Sequence, residues 1–264
     1  SPGTLLSLGN TGASTVNISA TATSTFGSGI NIRTGCFAVN GSCIGGSSSY
    51  VKRLAAIYAT STPGSNVSVV FGTGGPRFSA GTLTLPATTT EMVIEVWGGG
   101  GGSGGNTGTG GTGGTSCFGT NATACTTPVL QATGGSGGGA GAGGTGGSGG
   151  TGSLGDVNLT GQSGDSGSLT VGGSAPRGGG GGSSTAGGVF GGGSGSTNTN
   201  GGGSGGGGGY SMELIASTST DLSSMTYKYT VGAGGSGGSG GLSSVGGSGG
   251  MFITIYATSS TKAI

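Results

Sequence analysis

The chain has 264 residues, of which 76 are glycine, roughly four times the usual share of about 7%. Seven residues are Lys or Arg, six are Asp or Glu, the net charge is +1, and histidine is absent. Without imidazole, one chain cannot form a Ser-His-Asp triad or a His-containing zinc site. Without a basic cluster, nucleic-acid binding is not expected. We therefore predict a protein that is not an enzyme and has no cofactor.

The mean hydropathy is +0.10 and 30% of the residues are hydrophobic, unlike a highly charged disordered chain. No apolar run approaches 18 residues, so membrane insertion is not expected. Of the 76 glycines, 62 lie in residues 98–250. This distribution predicts a short-strand β stalk or assembly domain over residues 1–80. Residues 81–264 would form a glycine-rich domain.

Eight segments have the composition or the two-residue alternation of β-strands, and none has a convincing helical period. In one of them Tyr227, Tyr229 and Val231 share a face, as in a half-buried strand. Strands flank the glycine-rich tracts at both ends, so the tracts are predicted to leave and re-enter a β frame. The predicted strands are Thr4–Leu8, Ser14–Thr21, Tyr50–Thr60, Val67–Phe71, Glu91–Trp97, Tyr210–Ala216, Met225–Val231 and Met251–Ala257.

The four cysteines form two close pairs, and three disulfide connectivities are possible. The local pairing Cys36–Cys43 with Cys117–Cys125 is favoured because each pair brackets one turn-rich loop. Zinc is the alternative, although six and seven intervening residues are not metal-site spacings. Disulfides would indicate an oxidising, extracellular setting.

The glycine-rich tracts repeat every three residues with the unit Gly-Gly-X. A left-handed helix with three residues per turn, polyglycine II, has this period and leaves two bare faces against which neighbouring helices pair. A flexible Gly/Ser linker is the alternative, whereas collagen requires more proline. We predict an all-β protein with a polyglycine II helix bundle and little α-helix. The X residues of the predicted ridges include Ser103, Asn106, Thr109, Thr112, Thr115, Thr145, Ser148, Thr151, Ser236 and Ser239.

Three junctions between strands and glycine tracts carry a resemblance to known proteins. They are Val93–Gly102, Gly205–Met212 and Tyr229–Gly238. Over about residues 83–257 the chain resembles the glycine-rich domain of phage tail-fibre tip adhesins and of bacterial surface proteins. The resemblance implies packed polyglycine II helices with receptor-binding loops at the tip, but it identifies no receptor residues in this chain.

A second resemblance lies in Gly29–Gly46, which includes Cys36 and Cys43. This segment is similar to a cassette in repetitive secreted proteins of ultra-small uncultivated bacteria, which resemble surface stalks or fibres. The two resemblances together favour a bacterial surface fibre over a phage tail component.

Few polar side chains are candidates for chemistry. Glu91 and Glu95 lie on one face of a predicted strand, about 13 Å apart, and are interpreted as solvated edge charges rather than a glycosidase pair. Asp156 and Asp165 lie in a glycine-rich segment that could offer oxygen ligands to calcium, although the EF-hand spacing is absent. No catalytic or metal site is predicted.

Four aromatic residues, Trp97, Tyr210, Tyr227 and Tyr229, lie at the junctions of strands and glycine tracts. Packing against the ends of the bare helices is the favoured interpretation, and carbohydrate stacking is the alternative.

The sequence thus predicts a structural and adhesive subunit of an extracellular fibre or filament on a bacterial surface. Its expected partners are copies of itself, through strand pairing at Thr4–Leu8 and Met251–Ala257 or as a trimer, and a surface glycan or protein receptor. A phage receptor-binding tip adhesin and an ice-binding protein are the alternatives. Ridges of Thr and Ser on flat polyglycine II sheets would match ice.

Overall fold

The computed structural model divides the chain into two compact units, Ser1–Ser48 and Ser49–Ile264. The structure describes residues 37–39, 42–44, 50–60, 67–72, 75–78, 81–82, 89–119, 126–167, 170–183, 185–196, 202–216, 222 and 227–259. In the first unit, strands β1 (Phe37–Val39) and β2 (Ser42–Ile44) form an antiparallel hairpin. The predicted strands Thr4–Leu8 and Ser14–Thr21 lie outside the described residues.

The second unit contains a five-stranded antiparallel sheet in the order β11-β12-β7-β14-β3. The register pairs Tyr210 with Trp97, and Trp97 in turn with Gly250, so three strands enter or leave the glycine-rich tracts side by side. The strands are β3 (Tyr50–Thr60), β7 (Thr89–Trp97), β11 (Val157–Leu159), β12 (Tyr210–Ala216) and β14 (Gly250–Ser259).

A seven-stranded antiparallel sheet has the order β10-β9-β8-β13-β4-β5-β6. The strand β13 lies in the middle of this order and pairs with β4 on one side and with β8 on the other. The strands are β4 (Val67–Gly72), β5 (Gly75–Phe78), β6 (Gly81–Thr82), β8 (Ser116–Gly119), β9 (Leu130–Ala132), β10 (Gly152–Ser153) and β13 (Tyr227–Val231).

Side chains from both sheets share one hydrophobic core. Alternate residues of β7 and β14 are buried, as the two-residue period of a strand requires, and they pack with aromatic and aliphatic residues of β8, β9 and β13. The larger members are Met92, Ile94, Phe118, Leu130, Tyr227, Tyr229, Met251 and Ile255.

The prediction of an all-β protein is confirmed for the described residues, which include two antiparallel sheets and almost no helix. Two predicted strands, Tyr50–Thr60 and Tyr210–Ala216, coincide with β3 and β12. The two compact units divide between Ser48 and Ser49, so β3–β6 fall in the same unit as the glycine-rich tracts. The domain boundary between residues 80 and 81 stays a prediction. The described part of the chain has no helix with the length and hydrophobicity that a membrane span requires.

The predicted strand Met251–Ala257 is confirmed as part of β14, but it is not the free edge that the expected pairing with a neighbouring copy would need. Instead, β14 lies inside its sheet and pairs with both β7 and β3. Its backbone groups are therefore used within the chain. The reason is topological, because the apolar Met251, Ile253 and Ile255 belong to the core and draw the strand into the middle of the sheet.

Candidate functional site

The glycine-rich tracts form a body that we call the glycine array, which comprises residues 98–115, 133–151, 161–167, 170–182, 187–196, 202–209 and 232–249. Segments of the array continue directly from strands of the two sheets. Gly98 follows β7, Gly209 precedes β12, and Gly232 follows β13. The array is therefore anchored at one end on the sheets, as the prediction of a β frame requires.

The stretch 98–105, here the central segment, donates hydrogen bonds to three neighbours in rotation. The N–H groups of Gly98, Gly101 and Gly104 bind the carbonyl oxygens of residues 209, 206 and 203, at 2.8–3.0 Å. The N–H groups of Gly99, Gly102 and Gly105 bind the carbonyl oxygens of residues 114, 111 and 108. Those of Gly100 and Ser103 bind the carbonyl oxygens of residues 247 and 244. Partner numbers fall as donor numbers rise, so all three neighbours run antiparallel to the central segment.

The carbonyl oxygens of the central segment accept bonds from three further stretches. Those of Gly99, Gly102 and Gly105 accept from the N–H groups of residues 135, 138 and 141. Those of residues 100 and 103 accept from residues 235 and 238, and that of Gly101 accepts from Ser194. One segment thus has six hydrogen-bonded neighbours, and residues three apart face the same one.

The Gly-Gly-X runs are shorter than the sequence suggested. In the sequence, Ser103 to Thr115 keep one unbroken three-residue phase, but the Gly105 N–H donates to the carbonyl oxygen of Gly108, and the chain reverses around Asn106. The runs that contain Thr145 and Ser239 reverse likewise, at residues 140–143 and 240–241, where several glycines have positive φ. Each run therefore folds into a hairpin. The reason is that a three-residue period continues unchanged through a turn, so the sequence pattern does not mark the reversal.

Eight of the ten predicted ridge residues, all except Ser103 and Asn106, lie on one outer layer of the array. Neighbouring stretches in this layer are 235–239, 108–115, 133–139 and 144–151, joined by backbone bonds. Between the last two, the hydroxyl oxygens of Ser136 and Ser148 are 2.9 Å apart. Thr115 is half-buried and Ser103 is buried, whereas the exposed ridge residues are Asn106, Thr109, Thr112, Thr145, Ser148, Thr151, Ser236 and Ser239.

The four predicted junction aromatics separate into two pairs. Tyr227 and Tyr229 are buried in the core between the sheets, where Tyr227 stacks on Phe118 at 5.4 Å between ring centroids. Trp97 and Tyr210 instead form a second cluster with their ring centroids 5.1 Å apart. Core packing accounts for the first pair, whereas Trp97 of the second pair lines a surface cleft.

The second cluster borders an open cleft of about 360 Å³, which we call the Trp97 cleft. It is lined by five residues from two strands, β7 and β14, and two stretches of the array: Glu95, Trp97, Arg177, Phe190 and Phe252. The Trp97 and Phe190 rings are 4.8 Å apart, and the Trp97 indole N–H donates to the carbonyl oxygen of Pro176 at 2.9 Å. The indole is therefore fixed by packing and by a hydrogen bond.

Two charged side chains meet at the Trp97 cleft, although charged residues make up only 5% of the chain. Glu95 Oε1 lies 3.6 Å from Arg177 Nη2 and accepts a hydrogen bond of 2.6 Å from the Tyr210 hydroxyl. The Arg177 guanidinium lies 5.4 Å from the centroid of the Tyr210 ring. Burial, the bond to Glu95 and the negative charge of Glu95 raise the pKa of Tyr210, so this phenol remains a donor at neutral pH.

The backbone is strained at the same place. Among the described residues other than glycine, only Leu154, Arg177 and Phe190 have positive φ, at 69°, 52° and 64°. Two of the three line the Trp97 cleft. Left-handed backbone at residues other than glycine costs about 1–3 kcal/mol and concentrates at functional sites, so this coincidence marks the cleft.

Glu95 differs from its prediction as a solvated edge charge. It lies on β7, which pairs on both sides, and its side chain is 19% exposed and bonded to Arg177 and Tyr210.

The two aspartates considered as calcium ligands accept backbone hydrogen bonds. Asp156 Oδ2 accepts from the Leu214 N–H at 3.0 Å, and Asp165 Oδ2 accepts from the Val171 N–H at 3.3 Å. Within the described part of the chain, no three His, Cys, Asp or Glu side chains are grouped as a metal site.

Cys117 is disulfide-bonded and fully buried on β8. Its predicted partner Cys125 lies outside the described residues, as does Cys36, the predicted partner of Cys43. On either side of the Cys117 loop, Gly110 and Gly113 donate to residues 138 and 135, so the stretches before and after the loop are antiparallel neighbours.

Sequence reasoning missed Arg177, Phe190 and Phe252. Arg177 and Phe190 lie in irregular stretches between glycines, where no period indicates which side of the chain they face. The available signal was composition, because Arg177 is a rare cation and Phe190 a rare aromatic residue within the glycine-rich tracts.

No protein-family model, curated protein or solved structure matches the chain.

Proposed function

We propose that the chain is a structural and adhesive subunit of an extracellular fibre or filament on a bacterial surface, without catalytic activity. The observation that supports the proposal is the bonding of the central segment to six neighbours. A body held together through its backbone needs few side chains or charges, and it gives a stiff support for surface groups.

We interpret the glycine array as packed polyglycine II helices. Three residues complete one turn of such a helix, so every third residue faces the same neighbour. The three-residue rotation of donors and acceptors along the central segment supports this interpretation. A flexible linker would not form backbone hydrogen bonds that recur every three residues to six neighbouring stretches.

The energetics favour assembly with other copies. Ordering one residue costs about 1–2 kcal/mol, more for glycine, whereas a net hydrogen bond contributes about 0.5–1.5 kcal/mol. The free energy of folding of the array alone is therefore close to zero, and the sheets, the disulfide and contacts between subunits supply the stability. Light scattering should show particles whose mass grows with protein concentration, and a monomer at all concentrations would contradict self-assembly.

Electron microscopy of native material tests the fibre itself. Antibody to this chain should label thin cell-attached filaments along their whole length, because a filament repeats its subunit. Labelling confined to the ends of phage tails would overturn the proposal.

The position of the turns favours one second candidate, a phage tail-fibre tip adhesin. Thr107 N–H binds the carbonyl oxygen of Ser239 at 3.2 Å, and Gly141 N–H binds that of Gly105 at 3.0 Å. Three turns of the array thus meet at the Gly105 end of the central segment, opposite the Gly98 end that joins the sheet. Loops gathered at one tip would suit receptor binding, and the same labelling experiment distinguishes the two functions.

The exposed hydroxyl layer favours an ice-binding protein as the other candidate. Thr109, Thr112, Ser148 and Ser236 belong to adjoining stretches of this layer. Thermal hysteresis of the purified chain, abolished by Thr112→Lys, would support this function over adhesion. Freezing that matches a charge-matched control protein would exclude it.

A further inference from the structure

We propose that the Trp97 cleft is a carbohydrate-binding site that holds one pyranose ring of a glycan. The proposal names a ligand class for the adhesive role proposed above and is independent of assembly into a fibre. It rests on three features of the cleft: an apolar wall, a paired acceptor and donor, and a preorganised backbone.

The apolar wall consists of aromatic rings. Phe190 and Phe252 are partly exposed, and Trp97 lies behind them, 6% exposed and held by Pro176. A pyranose ring carries C–H groups on its faces and hydroxyl groups around its edge, so it buries a face on aromatic rings and keeps its edge for polar partners. The volume of about 360 Å³ accommodates one such ring.

The polar partners lie beside the rings. Both side-chain contacts of Glu95 use Oε1, and Oε2 has no hydrogen-bond donor within the part of the chain that the structure describes. The Arg177 side chain is 59% exposed and carries five N–H donors. Oε2 would accept from one sugar hydroxyl, while Arg177 would donate to a hydroxyl or ring oxygen. Because Glu95 and Arg177 neutralise each other, the site suits a neutral sugar.

The backbone holds these groups in place before any ligand arrives. Arg177 and Phe190 retain left-handed φ values that glycine would adopt without strain. Preorganisation of this kind lowers the cost of binding. A peptide would also use an aromatic wall, but the acceptor and donor beside the rings favour a hydroxyl-rich ring over an apolar side chain.

Binding can be followed through Trp97, because it is the only tryptophan in the chain. The purified full chain is titrated with the methyl glycosides of glucose, galactose, mannose and N-acetylglucosamine, and saturation-transfer NMR is recorded in parallel. We expect at least one glycoside to change the fluorescence with a Kd on the order of 1 mM. No response to any of the four sugars, or a response to N-acetylphenylalanine amide alone, would overturn the proposal.

Arg177→Gly separates binding from folding. It removes the guanidinium at an exposed position with positive φ, so the variant should keep the stability of the parent chain, or exceed it, and bind at least tenfold more weakly. Leu154→Gly is the matched control, because Leu154 is 60% exposed, has the same backbone conformation and does not line the cleft. It should bind like the parent chain.

Phe252→Leu is a second test that keeps apolar bulk in the cluster and removes one ring. We expect it to weaken binding at least fivefold. Equal binding by the parent, Arg177→Gly and Phe252→Leu would place any sugar site elsewhere and overturn the proposal. The titration uses the purified chain, so its failure would leave the filament labelling result unaffected, and the two proposals fail separately.

Discussion

Gly102 lies so close to the carbonyl oxygen of Ser236 that no β-carbon fits between them. The same holds for Gly101 against Ser136 and for Gly100 against Gly192, each of which faces a different side of the central segment. Glycine is thus required here by the approach of neighbouring backbone rather than by a turn. The obstacle is a hydrogen-bonded main chain, which cannot move aside as a flexible side chain would.

Gly102→Ala should therefore destabilise the protein by about 3 kcal/mol, the upper part of the range for overpacking. Gly180→Ala is the control, because a β-carbon at Gly180 would meet nothing within 4 Å. Denaturant unfolding followed by Trp97 fluorescence measures both variants. Equal stabilities for the two would contradict the packing around the central segment.

Hydrogen exchange should show a three-residue period in the outer stretch 108–115. The N–H groups of Gly110, Gly111, Gly113 and Gly114 are bonded, whereas those of Thr109 and Thr112 have no acceptor in the described part of the chain. NMR exchange should find the two threonine amides fast and their glycine neighbours slow. Uniformly fast exchange would indicate a flexible linker instead.

Stability should fall in alkaline solution. Burial raises the pKa of Tyr229 to about 12, and burial together with Glu95 raises the pKa of Tyr210. Unfolded tyrosines ionise near pH 10, so above that pH the unfolded state releases protons that the folded state retains. Stability is full below about pH 10 and decreases as pH rises toward the folded-state pKa. Phenolate absorbance should rise together with unfolding, and ionisation of all six tyrosines near pH 10 without unfolding would contradict this.

Tyr210→Phe should cost about 1–3 kcal/mol, since it removes a hydrogen bond to the half-buried carboxylate of Glu95. Tyr256→Phe is the control, because Tyr256 is half-buried and its hydroxyl has no hydrogen-bond partner among the residues described. Thermal unfolding of the two variants should differ clearly. A loss in Tyr256→Phe as large as that in Tyr210→Phe would contradict the assigned role of the bond.

The strands were predictable because their signal is local. The alternation in β13 and the apolar runs of β7, β12 and β14 predicted both ends of each of these strands to within two residues. Short strands such as β10, with two residues, carry no such pattern. Their positions depend on partners far along the chain.

The three-residue period was predictable, but its folding into hairpins was not. Asn106 keeps the phase of the run although it lies in a turn, so counting cannot locate the reversal.

The Trp97 cleft was half predictable. Trp97 and Tyr210 follow from their positions at strand ends, but Arg177 and Phe190 reach the cleft through backbone geometry that has no local pattern.

The rotation of bonds along the central segment restricts how its length can change during evolution. Insertion of one residue would turn every later N–H of residues 98–105 toward a different neighbour and point side chains into spaces without room for a β-carbon. Insertion of three residues restores the rotation and, in the polyglycine II geometry that we propose, lengthens the segment by about 9 Å. A matching triplet on the returning limb would preserve the turn. Natural length variants of such an array should therefore differ by whole triplets added in pairs, with the sheets beneath them unchanged.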